Sequence, residues 1–217
     1  MGSTEQLEQT DRTRLRRLKE RGSFDRALAE SILDEALVAH VGTTTDRGPI
    51  VLPMAHARVD DRLYVHGAPG NAILRAIAAG AEACITVTLL DGLVLARSAF
   101  ESSMHYRGAM ALGTCAVLEG QDKDDALRII SDHLLPGRWA DIREPSRKEL
   151  AATLMLALPL DEASVKISDG DPDDDPQDLD RPVWAGIVPI REVFGEPRPD
   201  ERGAAHPVPG YVKGWTR

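Results

Sequence analysis

The side chains best suited to chemistry gather where apolar runs give out. His66-Gly67 closes the run Arg62 to His66 (RLYVH), and the loop Gly67-Ala68-Pro69-Gly70 leads into a helical pattern that starts at Asn71. A strand, a Gly-rich loop and a helix start in that order suit an anion, because the first backbone N–H groups of a helix have no internal partners. A histidine there titrates near neutrality and can act as polar contact, proton carrier or metal ligand. The second cluster follows the apolar stretch Ala83 to Ala96 and holds Arg97, Ser98, Glu101, Ser102, Ser103, His105, Tyr106 and Arg107. An arginine directly after a buried strand needs a counter-ion, either a ligand phosphate or an internal carboxylate such as Glu101. Lys166, in the run Ser164 to Ile167, faces the same choice.

Other constellations point nowhere. The acidic run Asp169 to Asp180 (DGDPDDDPQDLD) alternates like a calcium loop, but it lacks Gly at the sixth place and Glu at the twelfth, and Pro172 and Pro176 interrupt it. It reads as a solvated loop. No zinc spacing, nucleophile elbow or Walker loop is present. His56 and His105 are weaker candidates than His66, and His40 and His133 read as structural or exposed.

Composition sets the frame. A chain of 217 residues with 42% hydrophobic content can bury a sizeable core as one domain with appendages. Its net charge of -9 excludes nonspecific nucleic-acid binding, which needs a basic face. No apolar run approaches the ~20 residues of a membrane span, and the N-terminus lacks the apolar stretch of a signal peptide, so a cytoplasmic protein without membrane contact is expected. Cys84 and Cys115 lie in apolar runs, as reduced core thiols do.

These residues need positioning elements. Residues 1–22 read as a polar arm with Arg12, Arg14, Arg16, Arg17 and Lys19, residues 23–195 as the folded domain, and 196–217 as an irregular tail in which Tyr211 and Trp215 can dock. Helical spacing covers Phe24 to Val38 behind a Ser23 cap, with a second cap at Ser31; Asn71 to Ala79, closed by Gly80; and Lys123 to Leu135, stopped by Pro136-Gly137. Ser146 to Leu150 starts a helix or turn. Strands are expected at Ala39–Thr45, Ile50–Val59, Arg62–His66, Ala109–Glu119, Ser164–Ile167 and Val183–Ile190, while Thr153–Pro159 suits either state. Asp91-Gly92 between β-branched runs predicts a hairpin joining Cys84–Leu90 to Leu93–Ala96.

Several phrases, taken in order, resemble the flavin-nucleotide-binding branch of the pyridoxamine 5'-phosphate oxidase-related family. They are Phe24-Asp25-Arg26 after an Arg-rich arm, Ile32-Leu33-Asp34-Glu35, Leu63-Tyr64-Val65-His66-Gly67, and Asp91-Gly92-Leu93-Val94-Leu95-Ala96-Arg97-Ser98. Tyr106-Arg107, Pro136-Gly137-Arg138-Trp139, Glu149-Leu150-Ala151-Ala152-Thr153 and Val183-Trp184-Ala185-Gly186 follow, so the likeness spans Arg14 to Ile190. The resemblance implies a mainly β fold with flanking helices (α+β), a six-stranded antiparallel split β-barrel of the FMN-binding type. It also implies a homodimer with the ligand groove at the subunit interface. The FMN phosphate would lie near the start of the Asn71 helix, with Arg75 or Arg97 as cation. Val65, His66, Gly67, Thr86 and Thr88 would line the ring or ribityl chain, and Ser98, Tyr106, Arg107 and Lys166 complete the implied cofactor set.

The departures matter as much. A Ser-Arg pair usual in relatives is Asn71-Ala72 here, the Ser after Tyr-Arg is Gly108, and Lys-x-Arg-x-Gly is Lys166-Ile167-Ser168-Asp169-Gly170. Each lost guanidinium removes a charge-assisted hydrogen bond of ~1.5 to 3 kcal/mol. One expected function is therefore an FMN-dependent oxidoreductase acting on a small conjugated or nitroaromatic substrate, with His66 as the candidate functional histidine. Another is a barrel that has exchanged FMN for haem or a similar planar ligand, with His66 or His105 on the iron, and a third is a non-catalytic flavin binder. Outside the haem case no metal is expected.

Overall fold

The computed structural model describes residues 5–215. Ten strands form one antiparallel sheet: β1 (Gly22–Ser23), β2 (Val38–Thr45), β3 (Gly48–Val59), β4 (Arg62–Gly67), β5 (Ala83–Leu95), β6 (Ser103–Gly113), β7 (Ala116–Leu118), β8 (Leu154–Pro159), β9 (Glu162–Ser168) and β10 (Gly186–Pro189). The order is β1-β9-β6-β5-β2-β3-β4-β8-β7, with β10 added on β5. The strand count exceeds the expected six. β3 serves two halves of the sheet: Gly48 to Ala55 pair with β2, and His56 to Val59 pair with β4.

Period-2 alternation sends Val41, Ile85, Val87, Ala109, Ala111 and Val165 inward, where Ile32 and Leu33 of α1 (Arg26–Glu35) and Ile73, Leu74 and Ile77 of α2 (Ala72–Ala78) close the core. A smaller cluster sits beneath α3 (Gly120–Leu134), where Ala126 and Ile130 meet Ala57, Leu118, Met155 and Ala157. The cap of α1 is Asp25, which accepts from Leu28 N–H at 3.2 Å, rather than Ser23. Ser31 does not break that helix, because its hydroxyl donates to the Leu28 carbonyl at 2.8 Å. Ser146 and Glu149 form the capping box of α4 (Arg147–Ala151).

The expected hairpin at Asp91-Gly92 is absent. β5 runs unbroken from Ala83 to Leu95 with a β-bulge between Leu90 and Gly92. Both edges of its second half are occupied, by β6 on one side and β10 on the other, so the chain has no room to reverse. Gly92 answers to that neighbour: a Cβ there would stand 3.0 Å from the Val188 carbonyl oxygen. The single strand expected over Ala109–Glu119 is two, because Gly113 (φ 149°) turns the chain out of register and β7 joins β8 instead. Thr153–Pro159 resolves as a strand, and the last strand covers only Gly186–Pro189.

The termini pack more closely than their composition suggests. Leu7 and Thr13 of the arm are buried, Leu7 N–H donates to the Phe24 carbonyl at 2.7 Å, and Arg12 bridges Glu82 and Glu162. At the other end the Trp215 indole donates to the Pro136 carbonyl at 3.0 Å and the Tyr211 hydroxyl to Asp141 at 2.7 Å. The described part of the tail thus docks on the end of α3. Among the described residues no helix is long and apolar enough to cross a membrane.

Asn71 caps α2 by accepting from the N–H groups of Ile73 (3.0 Å) and Leu74 (3.4 Å). Asn71→Ala is expected to cost about 1 kcal/mol, read as a lower urea midpoint, while Asn71→Asp stays near the parent.

Candidate functional site

The register of the sheet decides which candidate residues meet. Along β5, inward Ile85, Val87 and Leu89 alternate with outward Cys84, Thr86, Thr88 and Leu90. Thr86 pairs with His40 of β2 and Met110 of β6; Thr88 pairs with Gly108, which pairs with Lys166 of β9; Leu90 pairs with Tyr106. Thr86, Thr88, Tyr106 and Lys166 therefore share the outer face of the sheet, and the Lys166 ammonium lies 5.9 Å from the Tyr106 ring centre. Gly108 leaves the middle of this face low, and the Thr86 hydroxyl is turned down onto the Ala109 carbonyl at 3.0 Å.

His66 belongs to the same face. His56 pairs with Val65 and both are fully buried on the core side, so the next residues, Ala55 and His66, face the other side, where Ala55 and Met155, the cross-strand partner of His66, pack beneath α3. The imidazole is half-buried, its Nδ1 is buried without a hydrogen-bond partner, and burial lowers its pKa. The ring is thus held neutral, the form that coordinates a metal. Gly67 follows because a Cβ there would meet the Leu74 side chain at 2.7 Å. Val65 lies in the core and presents only its backbone to any ligand.

The remaining predicted residues are committed elsewhere. Arg97 finds its counter-ion in neither a phosphate site nor Glu101 but in Asp174: the guanidinium donates to one oxygen at 2.7 Å and the backbone N–H to the other at 2.6 Å. Burial raises the Asp174 pKa, but these two bonds outweigh it and hold the carboxyl below its usual range. One residue of the presumed solvated acidic run is thereby structural. Ser98 caps the following turn by accepting from Glu101 N–H at 3.2 Å. Arg107, opposite in parity to Tyr106, is gripped by Asp91 (2.8 and 2.9 Å) and Glu35 (2.8 Å), and these bonds raise its pKa. His105 spans to the Gly170 carbonyl at 2.7 Å, which ties down the acidic run.

The helix-start anion site is also taken. The Asn71 side chain already occupies the N–H groups that an anion would need. The exposed Arg75 side chain makes no ion pair or hydrogen bond among the described residues; it lines a groove of about 960 Å³ between α2 and the β2–β3 turn, together with Arg47. Sequence reasoning passed over Arg47, for which a turn position gives no signal. The Cys115 thiol is pushed up to about 11 by burial, and Cys84 is raised for the same reason, so neither is a reactive thiolate.

A face with no cover continues beyond these residues. On β3, Pro49 to Pro53 are exposed at every position, with Val51 61% and Leu52 41% accessible, so both sides of the strand are bare. The bulge at Asp91 keeps Leu93 and Leu95 on the exposed side with Leu90, next to Met104 and Val188.

The family model described as pyridoxamine 5'-phosphate oxidase matches residues 25–167, the span that holds His66, Thr86, Thr88, Tyr106 and Lys166. The chain belongs to the pyridoxamine 5'-phosphate oxidase family. Within that family it is similar to the FAD and haem binding protein from Mycobacterium smegmatis, at 42% identity over 90% of this chain and 97% of the other, with a TM-score of 0.86. It is similar also to the flavocytochrome Anf3 from Azotobacter vinelandii, at 36% identity over 96% and 97% of the two chains, with a TM-score of 0.89. A search of curated proteins finds no match.

His56 gives this family member a pH-dependent prop. Its Nε2 bonds the Leu33 carbonyl at 3.0 Å, and burial lowers its pKa from 6.5 to about 4. The unfolded chain takes up that proton first, so stability is full above about pH 6.5 and falls as the pH drops towards 4, by up to about 3 kcal/mol. His66 adds to the same limb. Urea midpoints measured across this range should decline in the parent and decline less in His56→Gln, which keeps a donor for Leu33 but has no titrating group.

Proposed function

We propose that this protein is a flavin- and haem-binding redox protein that works as a homodimer, with both ligands held at the outer face of the sheet. The observation that carries the reading is His66: a neutral imidazole with an unpartnered ring nitrogen, at the border of a wide uncovered face. The two similar structures, one an FAD and haem binding protein and one a flavocytochrome, support it. Were haem bound, His66 would fit as its iron ligand better than His105, whose Nε2 is spent on the Gly170 carbonyl.

Flavin fits the open middle of the same face. Thr88, Tyr106 and Gly108 give a shallow bed for a flat ring, and Lys166 supplies a positive charge beside it. FAD is favoured over FMN as the resident form, because Arg97, one of the two cations expected at a monophosphate, is neutralised by Asp174, and Arg107 of the implied cofactor set by Asp91 and Glu35. Bound flavin supplies hydride or single-electron transfer. The chain's own part is to orient the ring, keep His66 neutral and exclude water, with a small conjugated or nitroaromatic compound as the acceptor.

The second copy covers what one copy leaves bare. Apolar side chains exposed on both faces of one strand, as at Val51 and Leu52, make a surface suited to packing against another molecule. The absence of a disulfide between Cys84 and Cys115 suits the reducing cytoplasm.

Purified protein is expected to show a Soret band together with flavin absorbance. His66→Ala should keep the flavin bands and lose the Soret band, with haemin affinity down at least tenfold. A parent that neither carries nor takes up haemin removes the haem half of the proposal; one that takes up no flavin removes the other half. By sedimentation the parent should run as a dimer and Val51→Glu as a monomer.

A further inference from the structure

A groove of about 550 Å³ opens where the ends of α1 and α3 meet the C-terminal tail, and nothing said so far gives it a role. Asp34 and Glu35 line it from α1, Asp132 and His133 from the last turn of α3, and Phe194 and Trp215 from the tail. Three carboxylates thus stand in its lining with no lysine or arginine among the described residues, whereas the two larger grooves each contain arginine.

Two features make this groove negative beyond its side-chain count. The C-terminal ends of α1 and α3 both bring their residues to it, and a helix carries partial negative charge at that end. Neutralisation from outside is also incomplete: Arg58 is shared by Asp34 and Glu30, and the Arg128 Nε stays 3.6 Å from Asp132, so two guanidinium groups meet three carboxylates. The Asp34 and Asp132 side chains keep 47% and 42% of their surface in water. His133 spends its Nε2 on the Ala36 carbonyl at 2.8 Å.

Aromatic rings supply an independent feature. The centres of the Phe194 and Trp215 rings lie 5.8 Å apart with their planes inclined at 54°, and Tyr211 stands 6.3 Å from Trp215 on the tail. The Trp215 indole N–H donates to the Pro136 carbonyl at 3.0 Å, a bond in the ring plane that fixes the indole without using its π face. Aromatic faces beside diffuse negative charge attract a weakly hydrated organic cation. A primary ammonium would compete with the guanidinium groups for carboxylate oxygens; a quaternary one donates no hydrogen bond and leaves those pairs intact.

We propose that this groove binds an organic ammonium ion whose nitrogen is fully methylated, with Trp215 and Phe194 against its methyl groups and Asp34 and Asp132 supplying the field. The inference does not rest on the flavin or haem reading.

Titration calorimetry of the full chain with choline and with its neutral carbon isostere, dimethylbutanol, tests it. The parent should bind choline roughly fivefold or more tightly than the isostere. Asp132→Asn should weaken choline severalfold with thermal unfolding unchanged, while Asp125→Asn, exposed on the same helix outside the groove, should have no effect. Trp215→Leu should remove most of the binding, and Trp215→Phe, which keeps a ring without the indole N–H, should retain most of it. Equal loss in both Trp215 variants would trace the effect to the Pro136 bond and overturn the ring contact. A parent that binds choline no better than the isostere, or a choline affinity unmoved in Asp132→Asn and Trp215→Leu, overturns the proposal.

Discussion

The hydrogen bonding of β5 along both of its edges is the constraint on which the rest depends. β6 runs the whole length of one edge, and β2 and then β10 share the other. A strand held this way cannot twist free, so its alternation is transmitted to every neighbour: what faces the core on β5 faces the core on β2, β6 and β9. Ile85 and Val87 bury one side against α1, and that burial alone fixes Thr86 and Thr88 on the other. The outer face is thus a by-product of core packing, and its rigidity comes from residues that never touch a ligand.

The same logic separates the arginines that the fold neutralises from those that it leaves unpaired. Arg97 follows β5 and Arg107 lies within β6, where a lone charge would be costly to bury, so each is met by carboxylates from other parts of the chain. Arg47 and Arg75 stand in water, where no pairing is required. An unpaired guanidinium at the surface is inexpensive.

Most local elements were legible in the sequence. The helical pattern of α1, the strand RLYVH, the helix start near Asn71 and the stop at Pro136-Gly137 all depend on neighbours within a few residues. What could not be read was set by partners far along the chain. Asp91-Gly92 carries every local mark of a hairpin, and only the arrival of β10, nearly a hundred residues later, makes it a bulge. Arg97 meets Asp174 across a separation of 77 residues, inside a run whose composition signals solvent. The family likeness was legible from short phrases in order, yet it could not show that Asn71 spends its side chain on its own helix or that Arg107 is locked between Asp91 and Glu35.

The clasp between Arg97 and Asp174, with His105 on the Gly170 carbonyl, fixes a dense group of carboxylates beside the C-terminal end of β5. The β2–β3 turn with Arg47 lies towards the N-terminal end of the same strand, where Thr43 pairs with Ala83. The fold therefore gathers an excess of carboxylates at one end of its central strand and sets Arg47 towards the other, so that an anion meets the stronger repulsion at the acidic end.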